Sequence, residues 1–534
     1  MTSKQTTRLC VLATALLGLA ACGGGGGEAG TSGSAPAAAP TSGAFAWLLK
    51  AQGPTDNLKY GLSLLHPATP GTEWVIEVSN SVVSDAKLVA SGSVDVAGSK
   101  VDSLQPYALL YIVGGDVRRV PMQANGTVPL SRVQRAQSTS ACSFVIEAND
   151  YAAPENSRYI VSTAGADGSC TTADDGRAEV SLTASGGLTF TPISSAVPLG
   201  VFRDVATLAP RGWIYPKTVF FWGPSPGTTV VTRTDTEPAL TGVVAATYRS
   251  VLVDDGTQLS VLDFPSGTAP TESRLSAAST GGGGWTSIGF DAANHYVFRN
   301  SGSTTASSWT VLKISRVAPS ATVLASGSGL LSIASMAGTQ LYATVIGAAD
   351  NRLLAISKTV GVPVKPLAIT SSSTLTTVQT SASDVHQLWR VTNIGSAAIT
   401  YAIEMIDEGG NIVYATSTGG FPMAVAEAGS VNFNLSENRT RFVFANGYGS
   451  KAFSDATLVG YDTAARTATP LGTLPGSIDF GSDFVFASTM GGPGSFMTGF
   501  AARSSGGAVQ ETGAKVFSFD ASTAQSLKYT SSAQ

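Results

Sequence analysis

The densest group of potential metal ligands lies in residues 165–176, Gly-Ala-Asp-Gly-Ser-Cys-Thr-Thr-Ala-Asp-Asp-Gly. Asp167, Asp174 and Asp175 fall within nine positions, and the glycines allow the chain to turn tightly around them. Calcium prefers oxygen ligands, so these carboxylates, with backbone carbonyls added, are candidate ligands for one calcium ion. The spacing differs from that of an EF-hand, and a hydrated hairpin loop without an ion is the alternative interpretation. The sequence indicates no other cofactor.

The three histidines are the candidates for general acid–base catalysis. His66, His295 and His386 lie far apart, and none is part of a His-Glu-x-x-His metal motif. The folded region also lacks a Gly-x-Ser-x-Gly nucleophile motif and a phosphate-binding loop. A triad could still form in space around His295 with a carboxylate such as Asp291, and His386 could be joined in the same way by Asp384. Ordinary loop histidines are the alternative, so enzymatic activity stays uncertain and the sequence favours a protein that is not an enzyme.

An aromatic run, Trp-Ile-Tyr-Pro-Lys-Thr-Val-Phe-Phe-Trp, occupies residues 213–222. Its rings could form a platform on which a sugar or a peptide stacks. Aromatic side chains dominate the burial of protein cores, so packing between sheets is the favoured interpretation.

The N-terminal residues have the layout of a secretory signal. A basic start precedes an apolar stretch over residues 9–19, which is too short to span a membrane. The stretch ends in Leu-Ala-Ala-Cys at residues 19–22, a run that resembles the lipobox of Gram-negative bacterial lipoproteins. The resemblance implies that residues 1–21 are a signal peptide and that Cys22 is acylated, with palmitate among its chains. An ordinary secreted protein is the alternative.

The segment after the cysteine is expected to be a flexible tether. Gly23 takes the place of the Asp that retains many lipoproteins in the inner membrane, so the resemblance implies the outer membrane, on its periplasmic face. Residues 22–43 contain five successive glycines and few bulky side chains, too little apolar surface to fold. Such a tether has a typical reach of about 25 Å.

Two cysteines are expected to form a disulfide. Of the four in the chain, Cys10 belongs to the signal and Cys22 to the anchor, which leaves Cys142 and Cys170. An even pair in an oxidising compartment predicts a bridge between them. It would stabilise the fold by about 3.5 kcal/mol if its effect is to restrict the unfolded chain. Two free thiols or a metal-binding pair are the alternative.

The chain as a whole has the composition and pattern of an all-β protein. Charged residues make up 13% of it, against about 25% in ordinary soluble domains, and glycine is abundant. Short apolar runs alternate with turn residues, as in residues 250–253, 259–264, 309–314 and 340–346. The dipeptide Asp255-Gly256 between the first two runs accepts the positive φ of a tight hairpin.

Similar strands recur about every 40 to 60 residues. The recurring strands are residues 260–264, 311–315, 353–357, 402–406, 458–462 and 516–520. Such a period, with hairpins between the strands, resembles the β-propeller architecture. The resemblance covers roughly residues 55–534 and implies a propeller of seven or eight four-stranded blades. Tandem β-sandwiches with a boundary near Pro198 or Pro238 are the alternative.

Together these features predict a lipid-anchored propeller that serves as a binding or scaffold module in the cell envelope. The expected partner is an envelope protein or a glycan. A net charge of −4 without a basic cluster argues against nucleic acid. The competing hypothesis is a hydrolase or lyase that acts on an envelope polysaccharide in the propeller channel. A pocket that holds His295 or His386 beside a carboxylate would favour the enzyme.

Overall fold

The computed structural model describes most of the central chain and the strands that flank it. The described residues are 45–52, 59–65, 73–79, 81, 83–121, 134–135, 140–170, 172, 175–183, 185, 187–193, 197–222, 228–247, 249–265, 270–302, 306–370, 375–380, 388–393, 401–406, 411–415, 420–427, 431–433, 439–446, 456–462, 466–474, 486–490, 495–503 and 509–518. They belong to a compact unit that spans Ala38–Gln534. The predicted signal peptide and the tether, with Cys22, lie outside the described residues, as do His66, Asp174, Asp384 and His386.

Nearly all regular structure in the described residues is β-strand. The strands are β1 (Phe45–Gln52), β2 (Lys59–Leu65), β3 (Glu73–Ser79), β4 (Val83–Asp95), β5 (Lys100–Val113), β6 (Asp116–Pro121), β7 (Gln134–Arg135), β8 (Ala141–Ala148), β9 (Arg158–Thr163), β10 (Gly176–Leu182), β11 (Leu188–Ile193), β12 (Gly200–Arg203), β13 (Pro210–Ile214), β14 (Thr218–Phe221), β15 (Thr228–Val231), β16 (Gly242–Ala246), β17 (Ser250–Asp254), β18 (Leu259–Asp263), β19 (Thr271–Arg274), β20 (Thr286–Phe290), β21 (Asn294–Ser301), β22 (Ser308–Ser315), β23 (Ser320–Ser328), β24 (Leu330–Ala337), β25 (Gln340–Ile346), β26 (Asn351–Ser357), β27 (Lys365–Thr370), β28 (Leu375–Thr380), β29 (Leu388–Asn393), β30 (Tyr401–Ile406), β31 (Ile412–Ala415), β32 (Gly420–Glu427), β33 (Val431–Asn432), β34 (Arg439–Asn446), β35 (Ala456–Asp462), β36 (Thr467–Leu474), β37 (Phe486–Met490), β38 (Ser495–Arg503) and β39 (Val509–Ser518). Two short helical turns accompany them, a 3-10 turn at Pro154–Asn156 and α1 at Ala277–Thr280. Neither turn, nor any other helix in the described part of the chain, is long and apolar enough to cross a membrane.

Most strands are arranged in antiparallel sheets of four. Five successive sheets, β8–β11, β12–β15, β16–β19, β20–β23 and β24–β27, each contain four strands that pair in chain order. Each strand therefore pairs with the one that follows it, and short turns suffice as connections. The predicted hairpin turn after β17 is one of them, and its Gly256 has a φ of +81°.

The sheets follow one another around a ring. The first strands of successive sheets are in contact, from β4 to β8, β12, β16, β20, β24 and β28. The first described strand also meets the C-terminal part of the described chain, because β1 pairs with β37 from Phe45↔Met490 to Leu49↔Phe486. A sheet that combines strands from both chain ends closes the ring. The fold is therefore an all-β propeller, as predicted, and the alternative of tandem β-sandwiches is wrong.

The number of blades depends on how the largest sheet is divided. Among the described strands, eight sheets contain four or more strands, against the predicted seven or eight four-stranded blades. The largest of them consists of two groups of four, β28–β31 and β32 with β34–β36, joined by the single residue pair Tyr401↔Gly420. Divided at that pair, the described strands form nine groups of four.

The hydrophobic core lies between neighbouring sheets. Leu252 and Val261 of one sheet pack in the same cluster as Val297 and Leu312 of the next. Strand β17 is buried along its whole length, which explains why its sequence is a continuous apolar run instead of an alternating one.

Candidate functional site

A disulfide joins Cys142 and Cys170, as predicted, with their Cα atoms 5.7 Å apart. Cys142 lies at the start of β8, the first strand of its sheet, and Cys170 lies in the loop between β9 and β10. Because the first strands of successive sheets contact one another, they are the innermost strands of the ring, and the bridge ties this loop, residues 164–175, to one of them. We call residues 164–175 the acidic loop.

Backbone hydrogen bonds also hold the base of the acidic loop beside the start of β8. Ala164 N donates to Ser140 O at 2.7 Å, and Ala141 N donates to Gly115 O in the β5–β6 turn of the neighbouring sheet at 2.9 Å. The loop is thus positioned beside the end of the ring where β8 begins.

The carboxylates of the acidic loop are organised by hydrogen bonds from within the loop. Asp167 is exposed, and its Oδ1 accepts from Ser169 N at 2.8 Å. The Thr172 hydroxyl lies 3.3 Å from Asp167 Oδ1 and 3.1 Å from Asp175 Oδ1, so it sits between the two carboxylates. No group of three or more His, Cys, Asp or Glu side chains is placed to hold a metal ion among the residues described here, which exclude Asp174. The calcium site remains a prediction.

His295 is the one histidine among the described residues, and it lies on β21 without exposed surface. Within that part of the chain neither ring nitrogen has a hydrogen-bond partner. Burial lowers the pKa of His295 to about 3, and the nearby Arg316 adds to the shift while Asp291 opposes it. The imidazole is therefore neutral at physiological pH.

Asp291 caps a turn and does not pair with His295. Its Oδ1 accepts from the backbone N–H groups of Ala293 at 3.0 Å and Asn294 at 2.9 Å, and its Oδ2 accepts from the Tyr296 hydroxyl at 2.7 Å. Burial alone would raise the pKa of Asp291, but these hydrogen bonds lower it. The triad of His295 and Asp291 that the sequence allowed is therefore not formed.

Arg316 joins the sheets of β16–β19 and β20–β23 beside His295. Its Nη1 donates to Asp291 O at 2.7 Å, and its Nη2 donates to Thr247 Oγ1 of the neighbouring sheet at 3.0 Å. Its Nε lies 3.4 Å from Ser250 Oγ. These bonds fix the boundary between two sheets, which is a structural role.

The aromatic run packs in the core, as favoured from the sequence. Trp213 and Trp222 face the β8–β11 sheet, whereas Phe221 faces the β16–β19 sheet. Trp213 is buried, and its indole lies at right angles to that of Trp222, with ring centres 4.8 Å apart. The sequence did not reveal their charged neighbours. Trp213 Nε1 donates to Glu179 at 2.5 Å, and Arg158 pairs with Glu179 at 2.6 Å while lying over the Trp222 ring.

Comparison with known proteins gives distant likenesses only. No protein-family model matches the chain, and no curated protein matches its sequence. Among solved structures, a eukaryotic initiation factor is 10% identical with a TM-score of 0.45, over 85% of this chain and 99% of that one. Porphyromonas gingivalis dipeptidyl peptidase 4 is 9% identical with a TM-score of 0.40, and the match spans 85% of this chain and 60% of the peptidase. Oligogalacturonate lyase in complex with manganese is 11% identical with a TM-score of 0.29, over 59% of this chain and 74% of the lyase. The pairing of the strands and the closure of the ring establish the propeller fold without these likenesses.

Proposed function

We propose that this protein is a binding or scaffold module of the cell envelope, and that it recognises its partner with the end of the ring that carries the acidic loop. The observation that supports the proposal is the Cys142–Cys170 bridge, which holds an exposed acidic loop against the innermost strand. A loop that is ordered before binding loses less conformational entropy when a partner docks.

The chemistry of the loop indicates the kind of partner. Asp167 and Asp175 supply acidic groups, and the Thr172 hydroxyl between them supplies an uncharged hydrogen-bonding group. Charge complementarity favours a partner that offers basic groups or a bound cation at this point. An envelope protein with a basic patch meets that condition, and so does a glycan bound through a cation.

The proposed location is the periplasmic face of the outer membrane, with the lipid on Cys22 as anchor and residues 22–43 as tether. Several acyl chains on one protein give a stable anchor, whereas a single chain gives a marginal one. Replacing Cys22 with alanine should move the protein from the membrane fraction to the soluble fraction of cells. Retention of the Cys22→Ala variant in the membrane would contradict the anchor.

The recognition end can be tested by crosslinking in cells, followed by identification of the proteins and glycans retained with the lipoprotein. We expect the double variant Asp167→Asn, Asp175→Asn to lose the principal crosslinked species. The matched control is Glu155→Gln, which removes a carboxylate near the opposite end of β8. Equal crosslinking by the double variant and the control would contradict the proposal that the acidic loop contacts the partner. Retained glycan fragments without a protein partner would instead favour the polysaccharide-active hypothesis and direct mutagenesis to His386.

A further inference from the structure

The hairpin of β4 and β5 is unusually long for this fold. Its strands have 13 and 14 residues, whereas β8 and β9 of the next sheet have 8 and 6. Strand β6 pairs with β5 only from Ala108 to Val113, so residues 91–104 extend beyond the sheet. At about 3.3 Å per residue, five extra residues carry the hairpin roughly 17 Å past the neighbouring sheet. We call residues 91–104 the strap.

The strap pairs with a segment from a remote part of the chain. Strand β33 adds to its edge through Val431↔Val101 and Asn432↔Lys100. Phe433 N then donates to Ser99 O at 2.9 Å. In chain order β33 lies between β32 and β34. The strap is therefore paired with the segment that connects the first two strands of the group β32 and β34–β36.

The same segment touches two further sheets. The Arg203 guanidinium at the end of β12 lies 4.7 Å from the centre of the Phe433 ring. The Tyr151 ring, in the loop after β8, lies 6.2 Å from that ring, and Tyr151 O accepts from Gly92 N of the strap at 3.0 Å. Arg203 is held in place because its Nη1 donates to Asn149 O and Leu208 O, each at 2.9 Å.

The order of the sheets shows where these contacts are made. In one direction around the ring, the sheets of β8–β11, β4–β7 and β1–β3 separate β12 from β32. In the other direction, the groups β16–β19, β20–β23, β24–β27 and β28–β31 separate them. The contact between Arg203 and Phe433 therefore joins sheets that are not neighbours in the ring, and it is made at the end of the ring from which the strap extends.

This end is opposite to the acidic loop. Cys142 stands at the start of β8, while Asn149 and Tyr151 follow its end. An eight-residue strand separates the two positions by about 25 Å. Between them Val145 is 48% exposed although it lies on an innermost strand, so the space beside β8 is open to solvent.

We propose that the strap, latched by Arg203 and Phe433, closes one end of the channel and makes it a cup that opens only beside the acidic loop. Ligands and partner segments would then enter and leave through that single opening. Closure of this end would limit access to the channel whatever the identity of the partner.

The position of the strap can be tested by a disulfide across the paired residues. In the full chain with Cys10 and Cys22 replaced by serine, we expect Lys100→Cys with Asn432→Cys to crosslink on mild oxidation, because directly opposed strand residues have suitable Cα separations. The matched control, Lys100→Cys with Ala349→Cys, places the second thiol in the exposed β25–β26 turn at the opposite end. Absence of a crosslink between positions 100 and 432 in peptide maps, or equal crosslinking of both pairs, would overturn the proposal.

The closure itself can be tested by access to Glu147, an exposed position near the end of β8. We expect Glu147→Cys to react slowly with a bulky poly(ethylene glycol) maleimide, and about tenfold faster when the strap is shortened to an Asn-Gly turn. Thr286→Cys, at the start of the innermost strand β20, should react at the same rate in both backgrounds. Phe433→Ala is a milder variant that releases the latch without changing the length of the chain. An unchanged rate at Glu147→Cys in both the shortened and the Phe433→Ala proteins would overturn the closure, whatever the partner proves to be.

Discussion

Buried charged side chains hold the loops of this protein to its sheets, and Arg233 is the clearest case. Its side chain is fully buried in the loop after β15, where it pairs with Asp255 at 2.6 Å and with Glu272. It also donates to Pro238 O at 2.7 Å. Burial alone would raise the pKa of Asp255, but hydrogen bonds from Thr257 and Arg233 lower it to about 2. The two carboxylates lie 22 and 39 residues from Arg233, so the sequence offered no local signal for this network.

Removing the Arg233 side chain should destabilise the fold strongly. The variant Arg233→Met leaves the buried carboxylate of Asp255 without its cation and removes one of the two guanidinium partners of Glu272, at an expected cost of about 3–5 kcal/mol. The control Arg211→Met removes a guanidinium that is 47% exposed and pairs with Asp204 outside this network, and it should cost less than about 1 kcal/mol. Denaturant unfolding measures the free energy of unfolding of both variants. An equal loss in both would contradict a larger contribution from the buried Arg233 network.

His295 should make stability depend on pH. Its ordinary pKa of 6.5 is lowered to about 3 by burial in the folded state. Between these values the unfolded chain binds a proton that the folded chain does not, so this contribution is complete above about pH 6.5 and is lost as the pH falls towards 3. At pH 4.5 the loss should be about 2–3 kcal/mol relative to pH 7. The free energy of unfolding of His295→Phe should lack this part of the pH dependence. An identical pH dependence in the variant and the natural protein would contradict the assignment to His295.

The strands were predictable where their sequences are continuously apolar. Gln340–Ile346 was predicted with its observed bounds, and residues 250–253 and 309–314 correspond to β17 and β22. The recurring strands at residues 260–264, 311–315, 353–357, 402–406 and 458–462 all prove to be third strands of their groups, since they match β18, β22, β26, β30 and β35. The innermost strands β16 and β20 were missed, because Gly-Val-Val-Ala-Ala and Thr-Ser-Ile-Gly-Phe are short and weakly patterned. Their strand conformation depends on pairing within the ring, which a local pattern does not encode.

Close strand packing makes Gly212 of β13 a sensitive position. A Cβ there would lie 1.9 Å from Phe220 O and 2.6 Å from a ring carbon of Phe202. Gly212→Ala should therefore destabilise the protein by about 2–3 kcal/mol through overpacking. Gly242 of β16 has no atom within 4 Å of such a Cβ, so Gly242→Ala is the matched control and should change stability by less than about 1 kcal/mol. The melting temperatures of the two variants distinguish the positions. An unchanged melting temperature in Gly212→Ala would mean that β13 and β14 can move apart to accept the extra methyl group.

The whole ring depends on two kinds of long-range contact. The pairing of β1 with β37 joins the first described strand to the C-terminal part of the described chain, and the strap joins sheets that are not neighbours in the ring. Composition and periodicity predicted a propeller, but neither could predict the strap. Its hairpin reads as an ordinary strand–turn–strand, and only its partners, Phe433, Tyr151 and Arg203, show where it lies.

A covalent lock across the ring closure should stabilise the folded state. Leu48 and Ala487 face each other in the pairing of β1 with β37. The oxidised double variant Leu48→Cys, Ala487→Cys should gain about 2–4 kcal/mol over its reduced form, because the bond restricts the unfolded chain. Leu48→Cys alone should show no such difference. Differential scanning calorimetry under oxidising and reducing conditions measures the effect, and an unchanged melting temperature would mean that the closure opens before the sheets unfold.

The pairing of β1 with β37 also determines when the ring can close during synthesis of the chain. Strand β1 is synthesised early, yet its partner follows after nearly the whole of the remaining chain. Until then β1 presents an unpaired edge, which is a template for pairing with the wrong chain. Contacts of such large sequence separation form slowly. Until β37 pairs with β1, folding of this protein therefore competes with aggregation at one exposed strand edge.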